Sequence, residues 1–172
     1  MTTLYRFGFM VVLLFAILNA SAQSKSYQIY DQFSHRDGFT SLAFSKAMID
    51  AVNLNIDEEN KKITGDLMEI RILISNREKT NIAGSLSDII SGKFSKMDYR
   101  KIDFENAKNS KDNENVEFWV EGDSKRIKEC HVIVTNSNDK QFSCMVSFYG
   151  NFKVEDLKSF EKFSRKQSEK AE

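Results

Sequence analysis

Proline is missing from all 172 residues, which excludes Pro-rich linkers. Lysine plus arginine equals aspartate plus glutamate at 25 each, so no excess of one sign points to nucleic acid or a charged membrane surface. Only two histidines occur, against the three or four ligands that a zinc site needs. No G-x-S-x-G, H-E-x-x-H or G-x-x-x-x-G-K-[ST] segment is present, so no hydrolase elbow, metalloprotease helix or phosphate loop can be named. The pattern implies no cofactor, no metal and no catalytic residue. Among the residues that are plentiful, 14 Phe provide much of the core bulk, and 41% hydrophobic content suits a folded domain.

Long apolar runs are equally scarce. One exists, Phe7 to Leu18, preceded by Arg6, broken only by Gly8 and followed by Ala20-Ser21-Ala22. At about twelve residues it falls short of the roughly twenty a spanning helix needs, and its layout is that of a cleavable secretory signal. Cleavage is expected between Ala22 and Gln23, releasing a chain into the periplasm or the exterior. The expected organisation is a signal over 1–22, an α+β domain over 23–164 and a charged flexible tail over 165–172. No cysteine stands near Ala22 to anchor a lipid.

The chain is organised around three strands, Val116 to Glu121, Ile127 to Thr135 and Phe142 to Tyr149. Successive strand residues point to opposite faces. The even positions, from Val116, Phe118 and Val120 through Cys130, Val132 and Val134 to Phe142, Cys144, Val146 and Phe148, are all apolar. The odd positions mix Glu117, Trp119, Glu129, His131, Met145, Ser147 and Tyr149. This split predicts a dry even face and an odd face at least partly wet.

Upstream, Tyr27, Tyr30 and Phe33 recur every three residues with Ile29 beside them, which fits a short amphipathic helix, and Phe39 to Ser45 alternates as a strand. Ser45 is placed to cap a helix from Lys46, and Asp57 to Lys62 reads as a charged loop. Met68 to Ser75 is a strand; the segment from Phe39 to Ser75 is compatible with a right-handed crossover joining parallel strands. A helix is expected over Thr80 to Phe94. Tyr99 to Glu105 reads as a strand or as its continuation, Asn106 to Asn115 as a loop, and Val154, Leu157, Phe160 and Phe163 as a last helix. The order of elements predicts an α+β fold: one mostly antiparallel sheet of about five to six strands with helices packed on one face.

Two sets of residues are candidates for a role. Cys130 and Cys144 share the even face of neighbouring strands. Depending on register they are directly opposite or offset by one pair; directly opposite they suit a disulfide, and otherwise they pack as small buried hydrophobes. Trp119, His131, Met145 and Tyr149 cluster on the odd face, rimmed by Glu117, Glu129 and Thr135. Aromatics with polar tips suit a binding surface, though a covering helix at Tyr27 to Phe33 would turn them into structure. On the open-face reading, Trp119→Ala should leave the fold intact. The function expected is a non-catalytic binding or interaction module for an envelope protein or small ligand. The alternatives are a small hydrolase, which would need His35 or His131 joined to a serine and a carboxylate, and a regulatory partner in an envelope stress circuit.

Several segments also carry a family likeness. Gly38-Phe39-Thr40-Ser41-Leu42 with Ser45-Lys46, Ile70-Arg71-Ile72-Leu73, Asn115-Val116-Glu117-Phe118, Ile127-Lys128-Glu129, and Gly150 leading into Val154-Glu155-Asp156-Leu157 together resemble the bacterial domain-of-unknown-function family 4252. The resemblance covers nearly all of the expected mature chain and implies a small exported protein. It also implies genes lying near sigma-factor genes, hence envelope regulation, but it brings no activity and no catalytic residue.

Overall fold

The computed structural model describes residues 24–51, 66–76, 86–103, 114–123, 125–136 and 142–169. The expected signal, the Asp57 to Lys62 loop, the first residues of the Thr80 helix, most of the Asn106 to Asn115 loop and the 137–141 turn lie outside them. In chain order the elements are α1 (Tyr27–Phe33), β1 (Phe39–Ser45), α2 (Lys46–Ala51), β2 (Asp66–Ser75), α3 (Leu86–Lys96), β3 (Arg100–Ile102), β4 (Glu114–Gly122), β5 (Ile127–Asn136), β6 (Phe142–Phe152), a 3-10 turn (Val154–Asp156) and α4 (Leu157–Glu169).

The strands form a six-stranded sheet in the order β1-β2-β6-β5-β4-β3, with every neighbouring pair antiparallel. The fold is therefore α+β. β1 and β2 are antiparallel neighbours, Phe39 facing Ser75 and Ser45 facing Glu69, so the parallel crossover is corrected. Alternation in Phe39 to Ser45 was a sound strand signal, but it carries no information about direction.

The parity of the late strands holds. Val116, Phe118, Val120, Cys130, Val132, Val134, Cys144, Val146 and Phe148 share one buried cluster with Leu157, Phe160 and Phe163 of α4. Phe148 stacks on Phe160 with ring centroids 4.0 Å apart. The last helix starts where the Asp156 carboxylate accepts a 3.0 Å bond from the Lys153 N–H, answering one of the donors a helix start leaves open. The helix continues to Glu169, with Ser168 fully buried. Arg165 to Glu169 is thus ordered helix, contrary to the expected tail: Arg165 reaches back one turn to Glu161 at 3.1 Å, support that apolar periodicity does not register.

Two local features of β5 and β6 depart from regular strand geometry. The register between β5 and β6 shifts between Ile127 and Glu129. This bulge turns odd-numbered Ile127 toward the even-face cluster, where it pairs with Phe152. On β6, Gly150 lies so close to β2 that a Cβ there would meet the Asp66 carbonyl oxygen at 2.0 Å, which is why glycine occupies the position.

Helices pack on both faces, not one. The odd face carries its own cluster, in which Leu73, Trp119, Ile133 and Met145 of the sheet meet Ile29, Tyr30 and Phe33 of α1 and Leu86, Ile90 and Phe94 of α3. The strand order explains why. β2 is second in the sheet and β3 is at its far edge, so the connection between them spans ~19 Å at ~4.8 Å per strand. The eleven residues of α3 lie in that connection and supply ~16 Å of helix, laid over the odd face. No helix among the described residues is long and apolar enough to cross a membrane.

Candidate functional site

The structure brings Trp119, His131, Met145 and Tyr149 together on the odd face and closes it. His131 and Met145 are fully buried, and Trp119 and Tyr149 are each 7% exposed. The open face expected here is therefore corrected: α1 and α3 cover it. Across the sheet, Trp119 faces His131, His131 faces Ser147, and Ser147 faces Arg71. In the next row, Glu121 faces Glu129, Glu129 faces Tyr149, and Tyr149 faces Glu69.

Rings enclose the imidazole. Phe94 of α3 stacks on His131 at 4.5 Å and on Trp119 at 5.9 Å. Tyr99 and Tyr149 meet His131 edge-on at 5.0 and 5.8 Å. Trp119 Nε1 donates to Glu117 Oε2 at 3.3 Å, and Ser91 and Lys101 hold the same carboxylate at 2.8 and 3.0 Å. Burial works against the Glu117 charge, yet these contacts win and bring its pKa below the ordinary range.

Beneath α1 lies a connected polar cluster. Tyr30 donates to Ser147 Oγ at 2.7 Å, and Ser147 Oγ lies 2.7 Å from His131 Nδ1. His131 Nε2 is 3.4 Å from Glu129 Oε2, without the alignment of a hydrogen bond. Glu129 instead accepts from Ser24 and Tyr99, both at 2.7 Å, and from Ser26 at 3.3 Å. Burial works to raise the Glu129 pKa, but the polar groups around it outweigh that and bring it to about 2. Burial pushes His131 below the ordinary histidine range, with Glu129 acting the other way. The stable state near neutrality is thus an ionised Glu129 beside a neutral imidazole.

The same contacts tie down the segment leading into α1. Ser26 Oγ and Tyr149 Oη are 2.8 Å apart, Tyr27 donates to Glu69, and the Arg71 guanidinium lies 3.5 Å from the centre of the Tyr27 ring. Burial and the Glu69 bond raise the Tyr27 phenol to about 12.

Ser147, His131 and Glu129 are the residue types of a nucleophile, a base and an orienting acid. Their placement does not equip them to act. Ser147 and His131 are fully buried, and Tyr30 already occupies the serine oxygen from above. The sequence reading named His131 and Glu129 but gave no role to Ser147, Tyr30 or Tyr99. A pointer was available: Ser147 is a hydroxyl facing His131 on the adjacent strand, and Tyr30 recurs on the apolar stripe of α1. His35 lies in an exposed turn and joins nothing comparable.

Cys130 and Cys144 are buried thiols that form no disulfide, and Cys144 donates to the Ser164 carbonyl at 3.5 Å. Cys130 faces Phe148 and Cys144 faces Val134. That separates them by four residues along the ladder, ~13 Å, beyond the reach of a disulfide. Of the two readings the sequence allows, the bonded one does not fit: the strands would have to slide by four residues to set Cys130 opposite Cys144. Burial pushes the Cys130 thiol well above its ordinary pKa, which suits an inert packing residue. Among the described residues no three of His, Cys, Asp and Glu come together as a metal site.

This arrangement defines an α+β protein whose antiparallel sheet is clad on both sides, dry on one and polar-aromatic on the other. The chain belongs to the family described as Domain of unknown function (DUF4252), whose model matches residues 30–160. No curated protein and no solved structure matches it.

Proposed function

We propose that this is an exported protein, freed of residues 1–22 and working in the periplasm or outside the cell as a binding module without catalysis. The observation that carries the reading is where apolar surface remains open. Leu42, Met48 and Met68 are 42%, 48% and 50% exposed and come from β1, α2 and β2, which lie against one another; the other exposed large apolar side chains among the described residues, Ile89 and Val154, stand singly on α3 and the 3-10 turn. Half-buried Phe44, Leu67 and Ile74 back them against the even-face core. Exposed apolar side chains gathered in one place suit contact with a partner. Trp119, His131, Met145 and Tyr149 serve this function from inside, as the fixed interior that holds the sheet.

A second reading, a small hydrolase, draws on the Ser147–His131–Glu129 contacts and needs α1 to lift from the sheet. One pair of experiments separates the two. The exported protein and its Met48→Lys/Met68→Lys variant are used to capture partners from envelope extract, and both are assayed against an activated ester. Capture that the double variant loses, with no ester turnover, supports the binding module. Turnover abolished by Ser147→Ala supports the hydrolase. Intact mass of the recovered protein reports whether residues 1–22 are gone.

A further inference from the structure

The two edges of the sheet are built differently. β3 has three residues, and two of them, Arg100 and Lys101, are exposed cations. Charge and shortness are how edge strands discourage pairing with another chain. β1 has seven residues, Phe39-Thr40-Ser41-Leu42-Ala43-Phe44-Ser45, with no charge and no proline. Its seven pairs with β2 run without a register shift, so no bulge twists it away. Among the described residues nothing pairs with its outer side.

We propose that β1 is a self-association edge and that its occupant is β1 of a second copy of this chain, antiparallel about a two-fold axis through Leu42. The sequence of the strand suits itself. Centring on Leu42 sets Thr40 against the partner's Phe44 and Ser41 against the partner's Ala43. The exposed Leu42 side chains then meet across the axis, on the same face as half-buried Phe44. No charge enters the seven-residue ladder. Just outside it, the alignment sets Gly38 level with the partner's Lys46, so exposed Asp37 on one chain flanks an exposed cation on the other at both ends; each Lys46 also holds Asp66 of its own chain at 2.8 Å, so no opposed like charge arises there. An isologous contact of this kind closes on itself as a dimer and joins the two sheets into one. A heterologous peptide would find the same open backbone groups but no reason for this register.

The inference goes beyond the binding reading, because it concerns copies of this chain and needs no other partner. Its test is a pair of cysteine variants of the exported protein with a sedimentation measurement. Leu42→Cys places two thiols directly opposite at the axis, where Cα atoms in either kind of antiparallel pair are within disulfide range. Mild oxidation should give a covalent dimer. Thr40→Cys should not cross-link, since its counterpart is four residues away, and buried Cys130 and Cys144 do not compete. Ala43→Lys, at an exposed position, should weaken the dimer by about tenfold or more while leaving the monomer's circular dichroism unchanged. A protein that sediments as a monomer at all accessible concentrations would overturn the inference, as would equal cross-linking at 40 and 42 or a dimer indifferent to Ala43→Lys. A monomer that still captures a partner through Met48 and Met68 would remove self-pairing and leave the binding module standing.

Discussion

The two faces of this sheet do the same job with different chemistry. The even face is closed by α4 mainly through apolar side chains, Phe148 against Phe160 and Phe152 against Phe160, with one polar contact, the Cys144 thiol to the Ser164 carbonyl at 3.5 Å. The odd face is closed by α1 and α3 through rings and hydroxyls that fit only in one arrangement, with Glu129 held by Ser24, Ser26 and Tyr99 and His131 held by Ser147. An apolar core gives most of its energy through area removed from water. A buried polar cluster contributes less net energy but is costly to leave half made. The contrast teaches that a mixed strand face is not evidence of an open one.

The largest way to probe the contrast is to hollow each face. Phe118→Ala on the even face, fully buried, should destabilise the protein by about 3–5 kcal/mol in denaturant unfolding. Trp119→Ala, one residue on but on the other face, should cost about 3 kcal/mol, since Trp119 is 7% exposed and stacked on Phe94. A negligible change for Trp119→Ala would restore the open face.

Single hydrogen-bond deletions come next. Glu129→Gln should destabilise by about 1–3 kcal/mol, because the hydroxyls around it lose a charged acceptor. It should also remove one part of the pH dependence. His131 titrates lower when folded than when unfolded, so the unfolded chain takes up the proton first and stability falls as pH drops below about 6.5. Glu129 is brought from 4.5 to about 2, so its contribution is present above 4.5 and is lost as pH falls toward 2. Urea midpoints measured from pH 7 to pH 3 should decline throughout, and Glu129→Gln should flatten the lower part of that decline.

The smallest effect is an absence of change. Cys130 and Cys144 should ignore a water-soluble alkylating reagent in the folded protein and both react in denaturant, and the intact mass should show no loss of two hydrogens. Labelling without denaturant would mean that α4 leaves the even face open.

How far the sequence could be read divides along the same line. α1 and β1 end at the residues their periodicity indicates, Tyr27 to Phe33 and Phe39 to Ser45, because each is short and bounded by turn formers such as Gly38. The even-face core was legible because ten consecutive same-face positions are apolar, and burial on a period of two leaves no other solution. The closure of the odd face was not, because it depends on strand order. Nothing in Ser75 or Arg100 says that β3 lies at the opposite edge from β1. One indirect sign was present: the stripes Ile29, Tyr30, Phe33 and Leu86, Ile90, Phe94 both need a surface, and one sheet face under α4 could not receive them all. Whether the two thiols meet depends on register alone, and spacing in sequence does not give the pairing of Val134 with Cys144 or the shift between Val134 and Thr135.

The protein's lone tryptophan gives the most direct test of the claim that the polar-aromatic face is interior. Steady-state emission of the native protein is recorded with increasing acrylamide, beside a sample in denaturant. Burial of Trp119 between Phe94 and the sheet predicts a blue-shifted native spectrum that the quencher barely reaches, shifting red and quenching freely on unfolding. A native spectrum already red-shifted and quenched as readily as the unfolded chain would contradict it.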